Sequence, residues 1–268
     1  MSGMLKTGAG TNDAVDPRLF VSSVQKAMLV MEAFTREDRA MSIARIAEKT
    51  GMGRSAAQRF VYTLEKIGYI QRDPVTREYR LSNRAFRFVQ SILSANTTLD
   101  TSFHLLTRLA EQFGETVSWV EWSDEEIVIV ANVPSPNVTA VNLPVGSRFP
   151  ALTASSGQLY LAEMPAEEVK RIFDSADAAV ARRLGDISFE EYYDHIRRCL
   201  AEGYALTEKE VDYSSLSVSA PVRDYRGNMI ACINVSILRA RWQPDDVRAR
   251  MVPSLIEAAR IASQNAFG

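Results

Sequence analysis

The sequence predicts an α+β protein whose N-terminal part is a winged helix-turn-helix. Two observations predict that part: residues 42–67 have the pattern of two helices joined at Gly51, and residues 68–81 have the pattern of a β-hairpin. A third observation concerns residues 99–268, where β-branched and alternating segments occur beside amphipathic helices. Together they indicate structural units of different kinds within 268 residues, a length typical of one or two domains.

Composition favours a folded chain that does not span a membrane. Apolar residues make up 46% of the chain and charged residues 24%, as in globular proteins. No apolar run reaches the roughly 18 residues of a membrane span, and the N-terminus has no signal-peptide pattern. We therefore expect a flexible arm over residues 1–19 and a cytoplasmic location. Cys199 and Cys232, with no metal-binding spacing, are expected to be reduced structural thiols.

The helix-turn-helix follows a first helix over residues 21–34, which Ser22 or Ser23 can cap. Ser42 can cap the next helix, and Gly51 can adopt the left-handed conformation that reverses the chain. The helix after Gly51 then places its apolar residues on one face, namely Ala57, Phe60, Val61, Leu64 and Ile67. This pattern is typical of two helices that cross closely, as in major-groove DNA readers.

The opposite face of that second helix carries side chains that can read bases and hold phosphates. Arg can bridge guanine, Gln can bridge adenine, and hydroxyl groups contact the DNA backbone. With Ser42, the predicted DNA-contacting residues of this segment are Arg54, Ser55, Gln58, Arg59, Tyr62 and Lys66. The alternative is the solvated face of an ordinary helical hairpin.

The predicted hairpin that follows favours DNA binding over the alternative. Its strands flank an Asp73-Pro74 turn, and it carries Arg72, Arg77 and Arg80, which can lie along phosphates or in the minor groove. The net charge of the chain is −2, but residues 20–82 contain 11 Lys and Arg against 7 Asp and Glu, a net +4. Residues 83–268 contain 18 against 24, a net −6. The basic surplus therefore coincides with the predicted winged helix.

Residues 83–98 are predicted to be a linker that contains one strongly apolar helix. Its apolar residues cover more than half of the helix circumference: Ala85, Phe86, Phe88, Val89, Ile92 and Leu93. A surface helix needs only one apolar stripe. We therefore favour a helix that pairs with its copy in a second subunit, and burial within its own chain is the alternative.

Residues 99–268 are predicted to form the second domain. An amphipathic helix over 99–114 precedes a meander of strands over 116–122, 126–133 and 138–143. A loop over 146–150 and a hydroxyl-rich helix over 153–163 follow. The remaining predicted elements are helices over 167–173, 189–202 and 244–266, and strands over 203–206, 216–223 and 229–238.

With these elements, residues 20–268 resemble the IclR family of bacterial transcriptional regulators. The matching segments are the winged helix, Gly146-Ser147-Arg148-Phe149-Pro150, Thr153-Ala154-Ser155-Ser156-Gly157, Ala220-Pro221-Val222-Arg223-Asp224 and Ile233-Asn234-Val235-Ser236. The resemblance implies a linker helix and a C-terminal effector-binding domain with a GAF- or PAS-like fold. It also implies a homodimer or tetramer that binds double-stranded operator DNA, as a repressor or activator of catabolic genes.

The resemblance further implies a pocket for a small organic or aromatic acid between the sheet and the helix that starts near Thr153. Carried onto this chain, the pocket residues are Ser155, Ser156, Thr207, Ser217, Asn234 and Ser236. Some relatives have Gly and Ala in place of the two adjacent serines, an acid in place of Thr207 and a cysteine in place of Ser217. The predicted pocket is therefore rich in neutral hydroxyl groups, which suit recognition by hydrogen bonds.

Elementary geometry agrees with this location. Amide groups at the start of the helix after Thr153 can hold an anion, and Asn234 and Ser236 share one face of a strand. Thr153 is a further candidate effector-binding residue, and Trp119 is a candidate apolar wall of the pocket. The alternatives are that the hydroxyl residues are ordinary caps and strand residues and that Trp119 packs in the core.

The sequence predicts no catalytic residue, metal or cofactor. It has no nucleophile elbow, no H-E-x-x-H and no P-loop, and His104 and His195 lie on separate helices. Two other functions stay open at this point: a GAF-like enzyme acting on a small molecule, and a C-terminal domain that only oligomerises.

Overall fold

The computed structural model describes residues 16–35, 37–141, 143–208 and 214–266. The chain divides into two compact units, Met1–Ala95 and Asn96–Gly268, which are described separately. Most of the predicted arm over 1–19 lies outside the described residues. Within the described part of the chain, no helix is both long and apolar enough to cross a membrane.

The N-terminal unit is a winged helix-turn-helix, as predicted. Its elements are α1 (Ser22–Glu32), α2 (Ile43–Thr50), α3 (Arg54–Lys66), β1 (Ile70–Arg72) and β2 (Tyr79–Leu81). The two strands form an antiparallel hairpin. Val30, Ile46, Ala57 and Val61 are buried together and hold the three helices around one core.

Local hydrogen bonds explain where these elements start and turn. The Ser42 hydroxyl accepts a hydrogen bond from the Arg45 amide at 3.3 Å, and Gly51 ends α2 at φ +66°. Asp73 shapes the wing, because its Oδ1 accepts the amides of Val75 and Thr76 at 2.8 and 2.9 Å. The predicted serine cap of α1 is wrong: α1 follows Val21 with no side-chain cap.

A 3₁₀ turn over Asn83–Ala85 leads into α4 (Phe86–Ala95), which is the predicted linker helix. Phe86, Phe88 and Val89 are 68%, 53% and 41% exposed within the chain. Phe88 also stacks on Tyr69, with ring centroids 5.4 Å apart. The side chains at positions 92–95 lie outside the described part, so the predicted apolar residues at 92 and 93 are not covered. Phe86, Phe88 and Val89 are therefore not buried within the N-terminal unit.

The C-terminal unit is built on a six-stranded antiparallel sheet in the order β5-β4-β3-β8-β7-β6. Its strands are β3 (Thr116–Ser123), β4 (Glu126–Val133), β5 (Arg148–Pro150), β6 (Ala205–Glu208), β7 (Ser215–Arg223) and β8 (Met229–Leu238). The predicted strand over 138–143 is wrong where this segment is described. The third strand of the meander is instead β5, in the segment predicted to be a loop, because residues 148–150 pair with β4.

Helices cover both faces of this sheet. They are α5 (Thr97–Phe113), α6 (Ser155–Ala162), α7 (Ala166–Asp174), α8 (Ala178–Leu184), α9 (Phe189–Glu202), α10 (Pro244–Asp246) and α11 (Val252–Asn265), with a π turn at Val247–Met251. Helices α5 and α11 pack on one face, and α6 packs on the other. The sequence did not predict α8, whose first turn is capped by Asp177. Pro253 follows this π turn. Because proline has no amide hydrogen, it cannot donate the usual helical hydrogen bond to the carbonyl oxygen of Ala249.

Close backbone contact positions α6. A Cβ atom at Gly157 would lie 2.4 Å from both Cα and the carbonyl oxygen of Ala151. Only glycine fits there without displacing the backbone, so Gly157 sets how near α6 approaches the segment before it. This approach brings the hydroxyl groups at the start of α6 onto the sheet.

Candidate functional site

The outer face of α3 presents the predicted DNA-contacting side chains. Arg54, Ser55, Gln58, Arg59, Tyr62 and Lys66 are all exposed. They are exposed because Ala57, Val61 and Leu64 turn the other face of the same helix into the core. Lys66 lies over the ring of Tyr62, with its Nζ 5.2 Å from the centroid. The arrangement gives a continuous polar and cationic strip on one helix.

The wing carries its arginines at different places. Arg77 lies at the tip with φ +63°, a conformation unusual for a side-chain-bearing residue. Arg72 donates from Nε to the carbonyl oxygen of Arg77 at 3.2 Å, and its guanidinium lies 5.5 Å from the Tyr79 ring. Arg80 is exposed on β2. The Ser42 hydroxyl already accepts a hydrogen bond from the Arg45 amide at the start of α2. A contact between Ser42 and DNA would therefore use a hydroxyl group that also caps this helix.

Four of the eight predicted effector residues form, together with Ser219, one buried hydrogen-bonded cluster between α6 and the sheet. The Ser155 hydroxyl lies 2.9 Å from that of Ser217 and 2.8 Å from that of Ser219. Asn234 Oδ1 accepts from Ser217 at 2.6 Å and from Ser219 at 3.0 Å, and Asn234 Nδ2 donates to Ser236 at 3.1 Å. These five residues are at most 3% exposed. We call them the Asn234 cluster.

The Asn234 cluster follows from strand alternation. Ser219 pairs in register with Asn234, and Ser217 pairs with Ser236, so all four project to the same face of β7 and β8. Ser219 was not predicted, although its position two residues after Ser217 on the same strand is the signal that could have found it. Because the hydroxyl and amide groups satisfy one another, the cluster is a closed polar patch within the core.

A cavity of about 210 Å³ lies beside this cluster. Its lining includes two predicted residues, Thr153 and Thr207, and four polar or charged ones that the sequence did not indicate: Gln158, Arg183, His195 and Glu208. Thr207 on β6 pairs with Ser217 on β7, so the cavity begins one strand away from the Asn234 cluster. The remaining walls are mainly apolar, with Leu152, Leu184, Ile187 and Leu206. This combination of apolar walls and a few polar groups is typical of small-molecule sites.

Two buried oxygens that line this cavity, Thr207 Oγ1 and Gln158 Oε1, have no hydrogen-bond partner among the described residues. Ser156 Oγ also has none, but Ser156 does not line the cavity. The Gln158 amide is oriented by the Leu152 carbonyl, which accepts its Nε2 at 3.5 Å and also the Tyr192 hydroxyl at 2.9 Å. The carbonyl end of Gln158 is therefore left to accept a hydrogen bond. Unpaired buried acceptors are rare and cost stability, so they mark a place where a ligand can add bonds.

Trp119 is not part of this cavity, and the expectation that it forms a pocket wall is wrong. It lies in the apolar core on the face of the sheet that α5 and α11 cover. Ser118, the residue before it on β3, pairs with Asn234, so Trp119 and Asn234 project to opposite faces. Its indole Nε1 donates to Glu121 Oε1 at 2.9 Å. The same oxygen accepts Nδ2 of Asn96 at 2.8 Å, and Asn96 Oδ1 caps α5 by accepting the Leu99 amide.

The titratable groups near the cavity are not arranged for nucleophilic or metal chemistry. Burial raises the pKa of the Cys199 thiol to about 11, and burial also raises the pKa of Cys232, so both are protonated at neutral pH. Burial and the neighbouring Arg198 lower the pKa of His195. No group of three His, Cys, Asp or Glu side chains that could hold a metal occurs within the described ranges.

Comparisons with known proteins agree across both units. The chain matches the family model for the IclR helix-turn-helix domain over residues 23–74 and that for the bacterial transcriptional regulator IclR C-terminal domain over residues 91–264. The Pca regulon regulatory protein of Pseudomonas putida is 27% identical over 93% of this chain and 85% of its own. The p-hydroxybenzoate hydroxylase transcriptional activator of Acinetobacter baylyi is 26% identical over 90% of each chain.

Solved structures show the same fold. An IclR transcriptional regulator from Alicyclobacillus acidocaldarius superposes with a TM-score of 0.82 at 22% identity, covering 92% of this chain and 99% of that one. An IclR homologue from Microbacterium hydrocarbonoxydans, complexed with 4-hydroxybenzoate, gives 0.76 at 16% identity and covers 91% and 98%. The family models together match both structural units, and the chain belongs to the IclR family of bacterial transcriptional regulators.

Proposed function

We propose that this regulator controls a catabolic operon and that a small organic or aromatic acid alters its affinity for operator DNA. The observation that carries the proposal is the 210 Å³ cavity of the C-terminal unit, with apolar walls and unpaired buried oxygens. Two similar proteins are named for the Pca regulon and for p-hydroxybenzoate hydroxylase, and a structural neighbour is complexed with 4-hydroxybenzoate. These names support an aromatic acid as the first class to test.

We assign DNA binding to residues 20–82. Gln58 and Arg59 lie in the middle of the exposed strip of α3, and we propose that they read base edges in the major groove. Arg54, Ser55, Tyr62 and Lys66 would position the helix on the phosphates. Ser42 and the wing residues Arg72, Arg77 and Arg80 would contact the backbone on either side.

We assign effector binding to residues 99–268, with residues 83–98 as the linker. Thr153 and Thr207 would contact the ligand directly, because they line the cavity. The Asn234 cluster, which includes Ser155, Ser217, Asn234 and Ser236, would act indirectly: its hydrogen bonds would hold α6 against the sheet next to the cavity. The Ser156 hydroxyl is buried and has no hydrogen-bond partner among the described residues. It would bind a ligand that extends as far as this hydroxyl group.

The active form is proposed to be a homodimer or a tetramer. The N-terminal unit has an apolar groove of about 430 Å³ between α1 and α3, bordered by Met28, Ile67 and Phe88. Val24 and Met28 on α1 are 60% and 46% exposed, and α4 exposes Phe86, Phe88 and Val89. Exposed apolar patches of this kind mark interaction surfaces. Two copies would present two winged helices to a palindromic operator in the cytoplasm.

Regulation would follow from a population shift. The effector would bind one arrangement of the oligomer more tightly than another, and operator affinity would change by that difference in binding free energy. The proposal includes no catalytic role for the cavity. The sign of the change distinguishes a repressor that is released by its effector from an activator that is recruited by it.

Fluorescence anisotropy tests this function with labelled DNA from the promoter next to the gene. The purified protein is titrated against that DNA with and without benzoate, 4-hydroxybenzoate, 3,4-dihydroxybenzoate and short aliphatic acids. We expect specific binding whose Kd shifts about 5- to 150-fold with at least one acid. Operator binding that no acid alters would favour a C-terminal domain that only oligomerises. Turnover of an acid without operator binding would favour an enzyme.

A further inference from the structure

Gln158 on α6 brings an unpaired hydrogen-bond acceptor to the lining of the 210 Å³ cavity. Its side chain is 6% exposed, and its Oε1 has no hydrogen-bond partner in the part of the chain that the structure describes. Thr207 on β6, which is 7% exposed, brings a second unpaired oxygen to the same cavity. Two polar atoms that the fold leaves without a bond therefore belong to one lining, where a ligand can pair with them.

The orientation of the Gln158 amide follows from its neighbour Leu152. The backbone carbonyl oxygen of Leu152 lies 3.5 Å from Gln158 Nε2. A carbonyl oxygen only accepts hydrogen bonds, so the NH₂ end of the amide belongs on that side, and the reverse orientation would set two oxygens against each other. The Tyr192 hydroxyl donates to the same carbonyl at 2.9 Å and helps to hold it in place. The unpaired end of the amide is therefore its acceptor.

We propose that Gln158 Oε1 accepts a hydrogen bond from the effector, so that the site selects acids with a hydroxyl or amino group over acids of the same size without one. The proposal rests on the proposed function, whose ligand it narrows. A ligand that fills the cavity excludes water from Oε1, so a group without a polar hydrogen leaves this buried acceptor unpaired. A carboxylate cannot supply that hydrogen, since it only accepts. The donor group of the effector therefore lies at Gln158, and its carboxylate lies elsewhere in the cavity.

The rest of the lining makes the choice of ligand substituent informative. Leu184, Ile187 and Leu206 are apolar and favour a methyl group, so these walls cannot be the source of a preference for a polar substituent. The Thr207 hydroxyl can both donate and accept. A ligand hydroxyl can therefore pair with either unpaired oxygen, whereas a ligand amino group mainly donates and a methyl group does neither. Comparison of these three substituents on one acid separates a bond to an acceptor from a bond to a protein donor.

Calorimetric titration of three full-length proteins tests the proposal: the parent, Gln158→Met and Gln112→Met. Methionine keeps the length of glutamine and removes the amide. Gln112 is exposed on α5, donates to Ser254 at 3.1 Å and does not line the cavity, so it is the matched control. Each protein is titrated with benzoates that carry a hydroxyl, amino or methyl group at position 3 or 4. Lactate and isobutyrate, in which a methyl group replaces the hydroxyl, extend the comparison to aliphatic acids.

We expect the parent to bind at least one hydroxy acid about 5- to 150-fold more tightly than its methyl counterpart, the ratio that corresponds to one buried acceptor left unpaired. In the benzoate series the amino acid should share this preference over methyl. Gln158→Met should lose the preference, because His195 and Glu208, which also line the cavity and can accept a hydrogen bond, are unchanged in it. Gln112→Met should keep the preference in full. The order of affinities in the parent tests the proposal independently of how the variants fold.

A parent that binds methyl acids as tightly as hydroxy acids, or a preference that survives in Gln158→Met, would overturn the role of Gln158 and leave the proposed function standing, since an acid still binds. A preference for hydroxyl that amino does not share would assign the bond to a protein donor such as Thr207 and overturn it too. So would an equal loss of preference in Gln112→Met. If none of the probes binds, the inference fails. Operator DNA titrated with the full acid panel then decides separately whether the proposed function also fails.

Discussion

The side chain of Gln158 illustrates how a single residue can be unfavourable for folding and useful for binding. Its Oε1 is buried without a partner among the described residues. We predict that Gln158→Met, which keeps the length but removes the acceptor, raises the free energy of unfolding of the ligand-free protein by about 1 kcal/mol. The same change should weaken the operator response to acids. Thermal denaturation and anisotropy measure the two effects.

Gln112→Met is the matched control for this prediction. The Gln112 amide is exposed and donates to Ser254 at 3.1 Å, so its replacement should change stability by less than about 0.5 kcal/mol. A Gln158→Met protein that is less stable than the parent would contradict this prediction and would show that the bonds of the Gln158 amide, including that from Nε2 to the Leu152 carbonyl, outweigh the cost of burying its oxygen.

Two arginines of the N-terminal unit should differ in what they contribute to operator binding. Arg59 lies on the exposed face of α3 and Arg77 at the wing tip. We predict that Arg59→Ala weakens specific binding by about 1–3 kcal/mol and relaxes sequence preference. Arg77→Ala should weaken binding to all sequences alike and reduce the slope of log K against log salt by about 1. Equal loss of specificity in both variants would remove this distinction.

At the scale of elements, helix α4 should determine assembly. Phe86 and Val89 are exposed in the single chain although both are large and apolar. We predict that Phe86→Glu with Val89→Glu shifts the protein towards monomer, and that operator affinity falls because a single winged helix contacts only a half-site. Sedimentation velocity and anisotropy report the two outcomes.

Gln90→Glu with Ser91→Glu adds the same two negative charges and is the control, since both positions are exposed on the same helix. This control should stay assembled. A Phe86→Glu, Val89→Glu protein that keeps its sedimentation coefficient and its operator binding would show that another surface holds the subunits together.

Helix ends with clear caps and the long strands of the sheet were predicted from the sequence, but the short edge strand β5 and helix α8 were not. Ser42, Gly51 and Gly114 mark helix ends because a cap needs only its own turn. Residues 138–143 contain β-branched side chains, yet the strand forms at 148–150, where the backbone meets the edge of β4. Strand formation is decided by the neighbouring strand, which no local pattern shows. Helix α8 is short, and its basic C-terminal turn resembles a polar loop.

The residues of the candidate site likewise include some that the sequence predicted and some that it did not. Alternation along β8 correctly indicated that Asn234 and Ser236 share a face. The same rule could not fix the phase of β3, so the sequence left two interpretations of Trp119 open, a pocket wall or core packing, and it packs in the core. Arg183 was not found because only the fold brings it to the same cavity as residues of α6, α9 and β6, which are distant in the sequence.

At the scale of the whole molecule, a mutation that impairs effector binding in the C-terminal unit should leave DNA binding by the N-terminal unit intact. Asn234 joins four serines in a buried cluster, so its removal leaves several hydroxyl groups without a partner. We predict that Asn234→Ala loses the effector response and destabilises the C-terminal unit by about 1–3 kcal/mol. Basal operator binding should remain, because the winged helix has a core of its own.

Differential scanning calorimetry and anisotropy with the acid panel test this separation. The expected result is a lower melting temperature for one transition and an unchanged Kd for the operator without acid. Ser254→Ala, which alters an exposed hydrogen bond in the same unit, is the control. An Asn234→Ala protein with the parent's effector response would contradict the supporting role of the cluster.

The bond between Trp119 and Glu121 gives the protein a built-in optical signal. The indole is buried, and the carboxylate that accepts its N–H also accepts Asn96, where the chain passes from α4 into α5. Indole emission responds to the electric field of a nearby charge, so any shift of Asn96 that moves Glu121 changes the colour of the light emitted by Trp119. With Trp122 and Trp242 replaced by phenylalanine, emission from one residue would follow the junction in real time, without a dye and before any effector has been identified.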